Sequence, residues 1–196
     1  MTPHSSPSRS LRSLRLAPWA LAPLALALAL APYDAPPHAA AQAPSPLNGT
    51  WQLSGDPTQA AAMIQQTIEP ALAVMTPDLQ RVARARLAET TWVPSTITVT
   101  TAPNRIAVGF AGAENRTFDT APGQPQSVFS RSGVRAQMTQ TFRPDGGIEQ
   151  QFVALDGTQW HMLVPDANGQ VMYLEVLLRS PRLGQDIRFR LVYQRR

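Results

Sequence analysis

His161, in the run Gln159-Trp160-His161-Met162-Leu163-Val164, is the single histidine downstream of residue 41. Any Ser-His-Asp relay or histidine-rich metal cluster would have to pass through it. A cluster needs several ligands, and no His-Glu-x-x-His, phosphate-binding Gly-rich loop or dinucleotide fingerprint accompanies it. Glu149 and Glu175 are the two strand carboxylates placed to act as general acids if buried. Solvent-facing strand positions explain them more simply, because unpaired acids are seldom buried. The sequence therefore predicts no catalytic residue, no metal ligand and no cofactor. Arg143-Pro144-Asp145-Gly146-Gly147 reads as a hairpin turn and not a phosphate cradle, since no helix follows it.

Apolar residues carry more information. Phe152, Trp160, Met162, Met172, Leu174 and Phe189 recur along what read as adjacent strands, with polar His161, Arg190 and Tyr193 among them. Two readings stay open. The set is either a packed core or the wall of a ligand cavity, with Tyr193, His161 and Arg190 orienting a polar head. Methionines suit an adaptable apolar pocket.

These residues need a scaffold, and the chain supplies signals for one. Leu47 to Leu53 reads as a first strand with Gly49, Trp51 and Leu53 on one face. Asp56 is a helix cap followed by proline, and Ala61, Ile64, Ile68 and Leu72 recur at helical spacing. Pro70 is expected to end or kink that helix. Thr76-Pro77-Asp78 starts a second one, running to Glu89. Beyond Thr91 the texture alternates with period two. Strong turn signals stand at Asp145-Gly146-Gly147, Asp156-Gly157, Asn168-Gly169 and Pro181 to Gly184. The expectation is a mainly β fold: an antiparallel up-and-down barrel of about 8–10 strands, closed to avoid exposed edges, with a helix-turn-helix between the first and second strands.

The ends and the charge narrow the class. Arg9, Arg12 and Arg15 precede an apolar Ala/Leu run, Leu16 to Ala31, and the small-residue stretch His38 to Ala43. That is the layout of a secretory signal peptide, with cleavage after Ala41 preferred to cleavage after Ala43. The run is shorter than a membrane span and holds two prolines, so no stable transmembrane anchor is expected. The organisation is then 1–41 leader, 42–46 flexible lead-in and 47–196 barrel, exported to a bacterial periplasm or beyond. Absence of cysteine excludes disulfides, thiolate sites and a lipidated cysteine. The pI of 10.6 reflects a small arginine excess with no lysine to titrate. After the leader, 14 Arg face 12 Asp plus Glu. No basic stripe stands out, and nucleic acid is not an expected partner.

Gly49-Thr50-Trp51 in the first strand, two helices directly after it and a meander to the C-terminus resemble the calycin group. The element order looks most like its fatty-acid-binding-protein branch, while the leader is closer to lipocalins. The resemblance implies that Trp51 plugs one barrel end against an arginine of the last strand, with Arg188 and Arg190 as candidates. It also implies a small apolar or amphipathic ligand, the alternative being an envelope interaction or structural module with a filled barrel. The carboxylate-gripping Arg-x-Tyr pair of the fatty-acid branch is not matched: Arg190 and Tyr193 are three apart and lie on opposite strand faces.

Overall fold

In a computed structural model of the chain, residues 45–130 and 133–196 are described, all within one compact unit. The leader reading, the cleavage site and most of the lead-in lie outside the described residues. Ten strands follow the alternation of the sequence: β1 (Gly49–Leu53), β2 (Thr96–Ala102), β3 (Arg105–Ala111), β4 (Arg116–Thr120), β5 (Gln126–Phe129), β6 (Arg135–Phe142), β7 (Ile148–Ala154), β8 (Gly157–Pro165), β9 (Val171–Arg179) and β10 (Ile187–Arg195). Helices α1 (Pro57–Leu72) and α2 (Pro77–Thr90) separate β1 from β2.

Every strand pairs antiparallel with its chain neighbour, except that β4 does not pair with β5 and β1 pairs with β10 instead. The result is a calycin-like barrel, nearly closed, with its one gap between β4 and β5. A polar staple spans that gap. Gln140, wholly buried on β6, donates from Nε2 to the Ile106 carbonyl and to Thr120 Oγ1, both at 3.0 Å. Gln150 of β7 donates to Gln140 Oε1 at 2.7 Å. Buried amides need such partners, because an unpaired polar group inside costs about 1–3 kcal/mol.

α1 forms where the caps direct it. The Asp56 carboxylate accepts from the Thr58 N–H at 2.8 Å, and Pro57 takes the first helical position. The helix runs two residues past Pro70 and ends at Leu72. Its Ile64, Ile68, Ala71 and Leu72 are buried. The Gly184 N–H, in the β9–β10 turn, donates to the Ala71 carbonyl at 2.9 Å. A Cβ at Gly184 would come within 2.8 Å of Val74, so this close approach requires glycine.

α2 is held differently. Leu87 is its only buried residue, while Leu79 and Val82 are 58% and 49% exposed. Its C-terminal end is tied down, since Gln159 of β8 donates to the Thr90 carbonyl at 2.9 Å. Its middle meets α1 through an exposed Arg84–Glu69 ion pair at 2.7 Å, and solvent screens such a contact so that it holds the helix weakly. Among the described residues, no helix is long and apolar enough to cross a membrane.

Candidate functional site

The barrel interior divides in two. At the end away from the helices it is filled. Trp51, Ile97, Ile106, Ile148, Leu163 and Met172 show no solvent exposure. Trp51 donates from its indole N–H to the Leu47 carbonyl at 2.8 Å. The Arg195 guanidinium lies over the Trp51 ring, 4.4 Å from its centroid. It also donates to the carbonyls of Gly169 (2.8 Å), Asn48 (2.7 Å) and Pro46. One arginine thus knots the chain start, the β8–β9 turn and the end of β10 over the plug. Gly49 fits for two reasons: its φ is +134°, and a Cβ there would sit 2.9 Å from the Arg195 guanidinium.

The plug arginine is therefore not Arg188 or Arg190. Ile187, Phe189, Leu191 and Tyr193 point inward, so Arg188 and Arg190 must point out. β10 runs two residues beyond Tyr193, to Arg195, and that brings Arg195 back to the inner face opposite Trp51. Arg188 pairs with Asp186 at 3.3 Å. Arg190 pairs with Glu175 and lies 5.0 Å over the Tyr173 ring, on the outer surface.

At the helix end the interior is hollow. A cavity of about 850 Å³ extends from the middle of the barrel to α2. Phe110, Phe118, Phe152, Leu174, Val176 and Phe189 line it, together with His161. Three phenylalanines and His161 meet edge-on or tilted: Phe110–Phe118 at 6.1 Å, Phe118–Phe152 at 5.3 Å, Phe152–His161 at 5.0 Å and Phe110–His161 at 5.9 Å between centroids. Such ring pairs prefer these geometries and stabilise each other beyond their buried area. Met75, Leu79 and Val82 from the helices and Phe129 and Val134 from the β5–β6 hairpin form an apolar rim.

Of the residues that the sequence singled out, Phe152, His161, Leu174 and Phe189 face this cavity. Met172 and Tyr193 face inward too, but within the packed half. The Tyr193 hydroxyl donates to the Pro94 carbonyl at 2.9 Å, and burial pushes its phenol pKa up. Trp160, Met162 and Arg190 are on the outer face. Trp160 lies under Arg179, 5.9 Å from the guanidinium carbon, and Met162 pairs in register with Glu175 and Glu149. Adjacent strand residues cannot share a face, so with His161 inside, both its neighbours are outside. Glu149 and Glu175 lie with them, near Arg143 and Arg190, and neither reaches the cavity. Phe110, Phe118 and Gln159 were not anticipated as cavity residues, although the alternation around Phe110 and the inward position of Gln159 two residues before His161 were signals for them.

His161 is neutral at neutral pH. Burial, and secondarily the positive charge of Arg116, lower its pKa to about 4. Its Nε2 lies 2.9 Å from Gln159 Nε2. The Thr90 carbonyl only accepts, which identifies the Gln159 nitrogen facing it as a donor. His161 Nε2 must then accept, leaving the ring proton on Nδ1, which is buried with no partner. Among the described residues, no group of His, Cys, Asp or Glu is arranged to hold a metal ion.

No family model matches the chain, and no curated protein matches it. Solved structures do. A secretary abundant heat soluble (SAHS) protein from Ramazzottius varieornatus aligns with a TM-score of 0.52 at 7% identity, covering 78% of this chain and 96% of that one. A Schistosoma mansoni fatty acid binding protein in complex with arachidonic acid gives 0.47 at 14% identity, covering 78% and 97%. Caenorhabditis elegans lipid binding protein 8 gives 0.48 at 8% identity, covering 77% and 96%. At these identities the likeness is one of fold, and the first of the three, with a TM-score of 0.52, agrees with the barrel already drawn from strand order.

Proposed function

We propose that this protein binds a small apolar or amphipathic molecule in the helix-end half of its barrel, and that it does so after export. The observation that carries the binding reading is the cavity of about 850 Å³ with a mainly apolar, aromatic wall. Ligand sites typically occupy ~300–1,000 Å³ and are lined in this way. The driving force is apolar burial, ~25 cal/mol per Å². The weakly docked α2, with apolar Leu79 and Val82 beside the opening, is the element whose movement admits the ligand. A filled interaction module is disfavoured by the size of the hollow. Export rests on the arginine-led apolar leader and the small residues before Ala41. N-terminal sequencing of protein recovered outside the cytoplasm should begin at Gln42 or Pro44; an intact Met1 chain held in the membrane would refute it.

Binding is tested with the neutral fluorophore N-phenyl-1-naphthylamine. It should bind with affinity in the micromolar range, ~8 kcal/mol. Ala154 lines the cavity beside Phe152, so Ala154→Trp should fill the void and abolish binding while the chain stays folded. No probe binding to the wild type, with unfolding of the variant, would mean a packed interior.

A further inference from the structure

The cavity's charges are arranged unevenly. Those that border it are Arg86, Glu89, Glu114, Arg116, Asp156 and Arg182, three of each sign. All six lie at the helix end, on α2, near the start of β4, or in the β7–β8 and β9–β10 turns. Arg116 is paired with Glu114 at 2.6 Å and Arg86 with Asp156 at 3.4 Å. Elsewhere the wall is mainly apolar, with Phe110, Phe118, Phe152, Leu174, Val176 and Phe189, and His161 and Gln159 stand among its polar groups.

We infer that the cavity selects an uncharged apolar molecule, such as a long-chain alcohol or ester, over the carboxylate or ammonium of the same chain length; this rests on the binding reading above. A buried ion needs a counter-charge and hydrogen bonds to offset its lost hydration. That part of the wall offers no charged partner, and the one spare donor on its His161 is the neutral Nδ1–H. Both Nε2 protons of Gln159 are committed, to the Thr90 carbonyl and to His161. The His161 ring has no free lone pair, and its low pKa leaves it without positive charge at neutral pH. The last-strand positions that face inward near the middle are Leu191 and Tyr193, and the Tyr193 hydroxyl is spent on the Pro94 carbonyl. Arg190, next to Leu191, is outside and paired with Glu175, and Arg195, two residues beyond Tyr193, is spent on the Trp51 plug. The resulting wall tolerates a neutral chain and leaves a charged head without a counter-charge except at the rim, where Arg86 and Arg116 are already paired with Asp156 and Glu114.

The test is displacement of N-phenyl-1-naphthylamine from the full mature protein at about pH 8, where a carboxylic acid is ionised. Dodecanol, dodecanoate and dodecylammonium, kept below their micelle-forming concentrations, serve as competitors. Dodecanol should displace the probe at a concentration more than about tenfold lower than either ion. Dodecanoate or dodecylammonium competing as well as dodecanol, or better, would overturn the selectivity while leaving the binding site intact. Failure of the wild type to take up the probe at all would remove the binding reading and the selectivity with it.

Discussion

The two halves of the barrel are built from the same strands and differ in what their inward residues meet. At the plugged end, Trp51 and Arg195 are hydrogen-bonded to backbone carbonyls, and Gln150 donates to Gln140. At the helix end, the inward residues of β3, β4, β7 and β8 include Phe110, Phe118, Phe152 and His161, and they stand around space. The difference teaches that dense packing and open space are separated along the barrel axis. Side chains of the packed half hold one another in place, and deleting one leaves a cavity that cannot collapse. Side chains of the hollow half already border a void, so changing them has less to disrupt.

Mutations sharpen that contrast. Trp51→Ala should give the largest loss, ~3–5 kcal/mol in denaturant unfolding, as expected for a large buried aromatic. A loss under ~1 kcal/mol would mean that the plug does not hold the barrel. The next effect is one of pH. His161 takes its proton at about pH 4 when folded and near 6.5 in its ordinary state. Between those values the unfolded chain binds more protons, so stability falls as the pH drops from about 6.5 toward about 4. The loss is on the order of 3 kcal/mol. His161→Phe should remove this slope, and His161 is the only histidine among the described residues. An unchanged slope in the variant would show that the ring is not shielded.

A smaller effect separates the arginines of β10. Arg195→Ala removes three carbonyl contacts and the stack on Trp51, and should cost ~2–3 kcal/mol. Arg190→Ala, on the exposed face, should cost less than ~1 kcal/mol. Equal effects would contradict the assignment of Arg195 as the end cap. Smallest in stability is Ala154→Trp, which should change unfolding by less than the ~1–3 kcal/mol of overpacking a dense core.

Much of this was legible in the sequence where signals are local. Asp56-Pro57 and Thr76-Pro77 start the helices, the Gly-containing turns separate the strands, and Gly49, Trp51 and Leu53 share a face as expected. The site was less legible because it depends on strand parity and on where strands stop. Taking Trp160, His161 and Met162 together ignored the two-residue period, which admits only the middle one to the interior. Arg188 and Arg190 were the arginines considered for the plug, and Arg195, two residues beyond Tyr193 and on the same face, was not. Gln140 and Gln150 look like surface residues by composition. Only the missing pairing between β4 and β5, a long-range property, explains why amides are buried there. Whether the interior was filled or hollow was undecided by pattern alone, since inward apolar residues alternate identically in both cases.

The central claim is that the hollow half is a ligand chamber. Native mass spectrometry of the mature protein, recovered from cells that make it and compared with its Ala154→Trp variant, tests this most directly. The wild type should carry a small non-covalent adduct that organic solvent strips and that the folded variant lacks. A bare mass for both proteins, or the same adduct on both, would contradict it.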